Sequence, residues 1–189
     1  MIKAIDITCA GGPVVITPAV YEDDRGSFQE SWNKEDFNKM FGVHDFVQDN
    51  QSVSKKNVVR GLHFQKPPYA QAKLVRVVRG SAYDVAVDIR KGSPTYGNWY
   101  GVLLSAENNK QFLIPRGFAH GFVALEDNTV FQYKCDNKYD KASEGALMWD
   151  DKTIGIEWPF DTSLAIVSDK DQKNGQFEGF DSPFEYEKQ

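Results

Sequence analysis

Apolar and polar residues alternate with period two through much of the middle of the chain. In AYDVAVDIR, Tyr83, Val85, Val87 and Ile89 alternate with Asp84, Ala86, Asp88 and Arg90, the pattern of a strand whose two faces differ in character. KLVRVVRG precedes it, and the break at Arg79-Gly80-Ser81 predicts a hairpin turn between the two runs. Further short runs occur at similar spacing: VVRGLHFQ, NWYGVLLS, KQFLIP, HGFVALE and TVFQYKC, each closed by Gly, Pro, Asn or Asp. Many short strands at regular intervals predict an all-β sandwich or barrel. A convincing helical period occurs early, in NKEDFNKMF, where Asn33 can cap, Asp36 follows three residues later as in a capping box, and Phe37, Met40 and Phe41 share one stripe. No linker, low-complexity tract or fixed-period repeat interrupts the chain. It reads as a single domain over residues 1–189, with an N-terminal decoration and a polar tail, residues 172–189, expected to be peripheral.

Composition narrows the class. The 189 residues are 41% hydrophobic and 26% charged, ordinary for a soluble globular protein and far from a disordered chain. Cys9 and Cys135 belong to no CxxC pair, which removes a disulfide framework, a zinc ribbon and a thioredoxin-type motif together. The N-terminal stretch MIKAIDITCAGGPVVITP has no long apolar core, and no apolar run approaches the roughly 20 residues of a membrane helix, so a cytoplasmic, reduced protein is expected. With 22 Lys+Arg against 27 Asp+Glu the net charge is -5. That balance, with no basic block, argues against nucleic-acid binding. An anionic small ligand then requires cations gathered locally.

Only three histidines are present, and histidine is the usual proton carrier near neutral pH. His44, in FGVHDFV, has no polar constellation around it and reads as structural. His63, in VVRGLHFQ, shares a strand face with Gly61 and Gln65, with Arg60 on the other face unless the glycine introduces a bulge. A histidine beside a glycine and an arginine suits an anionic ligand, although a hydrogen-bonded core position is the more ordinary reading of it in isolation. His120 is delivered by the turn Pro115-Arg116-Gly117-Phe118-Ala119-His120. Jelly-roll barrels of the cupin type often hold a metal through two histidines one residue apart, a carboxylate, and a later histidine behind PxGxxH. Here PxGxxH is present, but the residue two beyond His63 is Gln65, so a His-rich metal site is not expected. A site of His63, His120 and one carboxylate remains formally open.

DDRGSFQES, FVQDNQSVSKKNVVRGLHFQKPPYAQAKLVRVVRG, PRGFAHGFVALE, FQYKC and GALMWDDKTIGIEWP closely resemble the dTDP-4-dehydrorhamnose 3,5-epimerase family of deoxysugar biosynthesis. The resemblance runs from about Pro18 to about Asp171. It implies a metal-free, cofactor-free cupin jelly roll (double-stranded β-helix) with a few short helices. It also implies a homodimer whose sites borrow residues from the partner's N-terminal strands, and a substrate, dTDP-4-dehydro-6-deoxy-D-glucose, converted to dTDP-4-dehydro-L-rhamnose.

Roles follow from the matched motifs. The resemblance makes His63 the base and places an aspartate of Ser168-Asp169-Lys170-Asp171 behind it; Asp171 is the match, and Asp169 stands as a second candidate. It makes Tyr133 the opposing acid and Lys73 the enolate stabiliser, although a core aromatic and a solvent-exposed lysine are the ordinary readings of those two in isolation. Arg25, Arg60 and Lys170 are placed at the pyrophosphate or its surroundings. Glu30, Gln48, Asp49, Asn50 and Glu144 are placed around nucleotide and sugar, Tyr139 on the thymine ring and His120 beside the sugar. Phe28 is open between strand packing and a place against the nucleotide. After Asp171 the small apolar continuation usual in the family is replaced by Gln172-Lys173-Asn174-Gly175.

The chemistry asks for these residue types. Epimerising carbons beside a C4 ketone needs a base for the α-proton, a positive group at the C4 oxygen, and an acid on the opposite face. Rival readings are a 3- or 5-monoepimerase, a 3,4-ketoisomerase, a cupin that binds a nucleotide sugar without catalysis, and a metal dioxygenase. Retention of His63, Lys73 and Tyr133 disfavours the binder, and the missing paired histidine disfavours the dioxygenase.

Overall fold

The computed structural model describes residues 2–187. The chain opens with β1 (Ile2–Ile7), β2 (Val14–Pro18), β3 (Val20–Asp23), β4 (Gly26–Gln29) and α1 (Lys34–Phe41). Next come β5 (Gln48–Ser54), β6 (Val58–Gln65), β7 (Lys73–Arg79), β8 (Ser81–Asp88), β9 (Arg90–Lys91) and β10 (Trp99–Ser105). The last strands are β11 (Gln111–Ile114), β12 (Phe118–Ala124), β13 (Thr129–Cys135), β14 (Glu144–Ala146), β15 (Ile166–Val167) and β16 (Phe184–Glu185). Every strand run read from the central sequence is a strand. The helix is also where it was read: the Asn33 side chain accepts from the backbone N–H groups of Glu35 and Asp36, which satisfies two otherwise unpaired donors of the first turn.

Two sheets face each other, one ordered β1-β2-β11-β7-β13-β5, the other β10-β8-β12-β6-β14 with β15 beside β6. From β5 to β8, and again from β10 to β14, successive strands alternate between the sheets. This winding is the jelly roll of the cupin type. It overturns the hairpin expected at Arg79-Gly80-Ser81. β7 pairs with β11 and β13, and β8 with β10 and β12, so the tight connection turns a corner from one sheet to the other. Gly80 has φ 72°, and a Cβ there would stand 2.7 Å from the Thr129 hydroxyl oxygen, so the corner admits only glycine without rearrangement. Alternating sequence predicts a strand but carries no information on which neighbour it bonds.

Three apolar layers result. Between the sheets lie Val75, Leu104, Phe112, Ile114, Phe122 and Phe131 among others. Phe122 of one sheet stacks on Phe131 of the other at 4.0 Å between ring centroids, tying the walls together. Outside the first sheet, Phe37 of α1 packs on Val14, Ile16, Leu74 and Leu113. Outside the second, Leu62, Val85, Val87 and Ile89 are covered by Trp149, Ile154, Trp158 and Phe184. β8 is therefore buried on both sides, and its polar positions Asp84 and Asp88 are fully enclosed.

The tail does not match its expectation of being peripheral. Phe177 and Phe180 pack against the outer layer and Phe184 lies within it. β16 adds parallel to β9, and the Phe184 amide is held by the Ser182 hydroxyl, which itself bonds the Ile89 carbonyl. The aromatic residues spaced along an otherwise polar segment supply the apolar area that docks it; residues 188 and 189 lie outside the described residues. No helix among the described residues is long and apolar enough to cross a membrane. Phe184→Ala should lower the unfolding free energy by about 3 kcal/mol, read by urea denaturation. A change within the error of the wild type would mean the tail does not brace the barrel.

Candidate active site

A local irregularity in β6 builds the site. Opposite β12, His63 pairs with His120 and Arg60 with Phe122, so β6 carries one residue more than its partner across that interval, a β-bulge. Gly61 sits there with φ 144°, and a Cβ on it would stand 2.5 Å from the Gly121 Cα. A Cβ on Gly121 would likewise lie 2.8 Å from the Arg60 carbonyl oxygen. The two glycines let the backbones approach, and the bulge turns Arg60 to the same side as His63, where both line one cleft.

His63 Nε2 lies 2.7 Å from Asp171 Oδ1. Asp171 begins a single 3-10 turn, Asp171–Lys173, its backbone N–H donates to the Ser168 hydroxyl, and only 4% of the residue is exposed. Burial pushes its carboxyl upward, but the His63 hydrogen bond and charge, with bonds from the Gly61 backbone and Asn174, outweigh it and hold the group below the usual carboxylate range. A carboxylate accepting from Nε2–H leaves the lone pair of the neutral ring on Nδ1. Asp169, the second candidate, is exposed.

Lys73 and Tyr133 rise from β7 and β13 of the opposite sheet, with the ammonium 5.9 Å from the tyrosine ring centroid. Burial lowers the Lys73 pKa against the opposing pull of Cys135 and Asp84. Burial raises that of Tyr133, partly countered by Arg60, so its hydroxyl keeps its proton at neutral pH. Beneath them His120 is buried, with Nε2 at 3.1 and 3.0 Å from the two oxygens of Asp84. Burial depresses the His120 pKa and raises that of Asp84, each resisted by the other's charge. Sequence reasoning noticed Asp84 only as one step in an alternation; its role as the partner of His120 needed the closed barrel.

The cleft has two lobes, of about 390 Å³ and about 500 Å³, which share His63, Lys73, Tyr133 and Lys170. Gln48, Asn50, Tyr139 and Glu144 line the first; Arg60, His120 and Asp171 line the second. Lys170 Nζ meets Glu144 Oε2 at 2.6 Å, and the Tyr139 hydroxyl donates to Glu144 Oε1 at 3.1 Å. Gln65, where a metal-binding cupin would carry its second histidine, has its amide committed to two loops: Nε2 donates to the Tyr69 carbonyl of the β6–β7 connection and to the Lys138 carbonyl before β14, and Oε1 accepts from the Asp140 N–H. It thereby positions Tyr139. His44 stacks on Phe46 away from the cleft. Among the described residues no His, Cys, Asp or Glu side chains gather in a group of three or more that could hold a metal ion.

Four predicted positions are not brought to this cleft. Asp49 points to the other face of β5, as alternation requires between Gln48 and Asn50, and pairs with Lys134 at 2.7 Å. Arg25, Phe28 and Glu30 lie on or just after the exposed β3–β4 hairpin. The Arg25 side chain is 90% exposed and bonds Asp23 at 2.6 Å, and Phe28 is 70% exposed. Only Arg60, Lys73 and Lys170 of the four expected cations converge within the chain.

Residues 8–179 match the sequence family described as dTDP-4-dehydrorhamnose 3,5-epimerase. The chain belongs to this family. A dTDP-4-dehydrorhamnose 3,5-epimerase from Salmonella typhimurium is 55% identical to it over 159 residues, 84% of this chain and 86% of the relative. The crystal structure of a dTDP-6-deoxy-D-glucose-3,5-epimerase from Legionella pneumophila, in complex with dTDP-4-keto-L-rhamnose, is 40% identical with a TM-score of 0.93 and covers 100% of both chains. A 3'-monoepimerase from Streptomyces bikiniensis in complex with dTDP-quinovose is 35% identical with a TM-score of 0.82, covering 87% of this chain and 83% of its own.

In this member of the epimerase family the cleft wall also carries a thiol. Burial pushes Cys135 up to about 11, with Lys73 pulling the other way. At pH 8 its thiolate fraction is then on the order of one in a thousand. Of the two cysteines, only the partly exposed Cys9 should react promptly with a disulfide reagent in the native protein, and both in denaturant. Two fast thiols in the native protein would show that Cys135 is neither sealed nor held protonated.

Proposed function

We propose that the protein is a dTDP-4-dehydrorhamnose 3,5-epimerase, a single-domain isomerase that converts dTDP-4-dehydro-6-deoxy-D-glucose to dTDP-4-dehydro-L-rhamnose. One observation carries this reading: the His63–Asp171 pair stands on one wall of the cleft while Tyr133 and Lys73 stand on the other. Inversion at carbon requires a base on one face and a proton donor on the opposite face. Two facing sheets supply that arrangement directly.

The steps balance without a redox change. His63 Nδ1 takes the α-proton at C5 or C3, the C–H electrons form the C=C bond, and the C4 carbonyl electrons move onto its oxygen. Asp171 stabilises the imidazolium through Nε2–H. The Lys73 ammonium stabilises the enolate oxygen, a charge that exists only during reaction, so the contact favours the transition state over bound substrate. The Tyr133 hydroxyl then protonates the carbon from the far side, its phenolate recovering a proton from solvent while His63 loses its own. The same residues serve the second centre after the sugar has shifted. Arg60 and Lys170 meet the pyrophosphate, and Tyr139 stacks on the thymine ring.

We assign Arg25, Phe28 and Glu30 to the site of the partner in a homodimer. Arg25 and Phe28 occupy an outward-facing hairpin of their own chain and Glu30 directly follows it, and Tyr21 and Phe28 expose apolar area there. The two unpaired cysteines and a nucleotide-sugar substrate fit the cytoplasm.

Incubation with dTDP-4-dehydro-6-deoxyglucose in D2O, followed by NMR, tests the activity. Deuterium should enter both C3 and C5 with inversion; entry at one centre makes the protein a monoepimerase, and no exchange removes the proposal. His63→Ala should abolish exchange at both carbons, whereas Tyr133→Phe should retain exchange and lose at least about tenfold in inversion. Normal inversion by Tyr133→Phe would remove it as the acid. Mixing and re-forming dimers of Arg25→Ala with His63→Ala should restore activity, because one site of each hybrid then holds both native residues. Absence of recovery in demonstrated hybrids would place Arg25 in its own chain's site or in none.

A further inference from the structure

The segment Gln172-Lys173-Asn174-Gly175 carries no role in the chemistry above, yet it is built into the wall behind the base. Asn174 Nδ2 donates to the Gly61 carbonyl at 3.2 Å and lies 3.5 Å from the Leu147 carbonyl. Its side chain also lines the cleft, and its backbone N–H donates to the Asp171 carbonyl at 3.4 Å, closing the turn that carries the carboxylate. Gly61 is the bulge residue of β6, two positions before His63. Leu147 is joined to Leu62 by two backbone bonds of 3.0 and 2.9 Å, and the next residue, Met148, donates to Gly175 at 2.8 Å. Asn174 thus stands where the bulge, the strand carrying Leu147 and the Asp171 turn meet.

We propose that Asn174 is a positioning residue for proton abstraction, clamping the bulge of β6 to the Asp171 turn and thereby fixing the His63 ring against its carboxylate. This rests on the reading of His63 as the base. The His63 side chain is 40% exposed, so packing alone does not immobilise it, and its orientation depends on the Asp171 bond and on the backbone that delivers it. A carboxyl-bearing turn needs an outer partner of its own to hold the ring within the narrow tolerance that proton transfer demands. An alanine at 174, with no polar side chain, would leave the Gly61 carbonyl without this donor and free the bulge from the Asp171 turn.

Three variants test the clamp: Asn174→Ala, Asn174→Asp, which replaces a donor by a second carboxylate, and Gln172→Ala. The last removes a hydrogen bond of the same segment, Gln172 Nε2 to the Val167 carbonyl, without touching the bulge or Asp171. Each is measured for kcat and KM with the dTDP-sugar, for thermal midpoint, and for the downfield proton resonance of His63 Nε2–H, assigned by its loss in His63→Ala. Asn174→Ala should lose about tenfold in kcat, the loss of one such hydrogen bond, with KM within twofold and the resonance broadened by faster exchange. Asn174→Asp should lose more, and Gln172→Ala should keep wild-type kcat and resonance. An unchanged resonance in Asn174→Ala, or equal losses in the 172 and 174 variants tracking thermal stability, would overturn the proposal. The resonance needs no substrate, so it judges the clamp even if the wild type proves inactive on this sugar, a result that would fall on the proposed function instead.

Discussion

The hydrogen bond on which the site turns joins two distant parts of the chain. His63 and Asp171 are 108 positions apart in sequence and 2.7 Å apart in space, and most of the architecture beyond the two sheets serves to close that gap. The outer face of the second sheet is apolar and must be covered. The chain from Leu147 onward covers it with Trp149, Ile154, Trp158 and Phe184, and on that path it sets the Asp171 turn against the bulge of β6. Hydrophobic burial, which has no direction of its own, is thus converted into the placement of one carboxylate. The bulge completes the arrangement, since without the close approach of Gly61 to Gly121 neither His63 nor Arg60 would face the cleft as they do.

Charge inside the barrel obeys a related economy of position. The chain carries a net charge of -5, yet Arg60, Lys73 and Lys170 reach one cleft. Within a Debye length of about 8 Å the local arrangement governs what a diphosphate meets. Deeper in, Asp84 is fully buried against His120, and burial raises its pKa against the pull of His120 and Lys73. Glu144 pairs with Lys170. At the rim, Lys170 is thus held by an acid that a dianionic ligand would compete with on arrival.

Much of this was legible in the sequence and some was not. The strand runs, the Asn33 cap and the motif residues His63, Lys73, Tyr133 and Asp171 were readable because local alternation, capping chemistry and close motif resemblance are properties of short segments. The corner at Gly80 was misread as a hairpin because both connections use the same residue types, and only the pairing partners tell them apart. Asp49 was grouped with Gln48 and Asn50, although strand alternation already placed it on the opposite face. The tail looked peripheral because its polar average concealed Phe177, Phe180 and Phe184, which act singly rather than as a periodic stripe. Asp84 and Asn174 were invisible as site residues because their partners lie far away in sequence.

The late position of Asp171 has a consequence for the order in which the protein comes into being on the ribosome. A nascent chain that has been translated through β14 holds every strand of the path in both sheets, together with His63, Lys73 and Tyr133. It still lacks Asp171, the hydrogen-bond partner of His63, and the aromatic residues that seal the outer layer. The His63–Asp171 pair therefore cannot form before residue 171 has been translated. A chain cut short after β14 would carry His63, Lys73 and Tyr133 with no carboxylate behind the histidine.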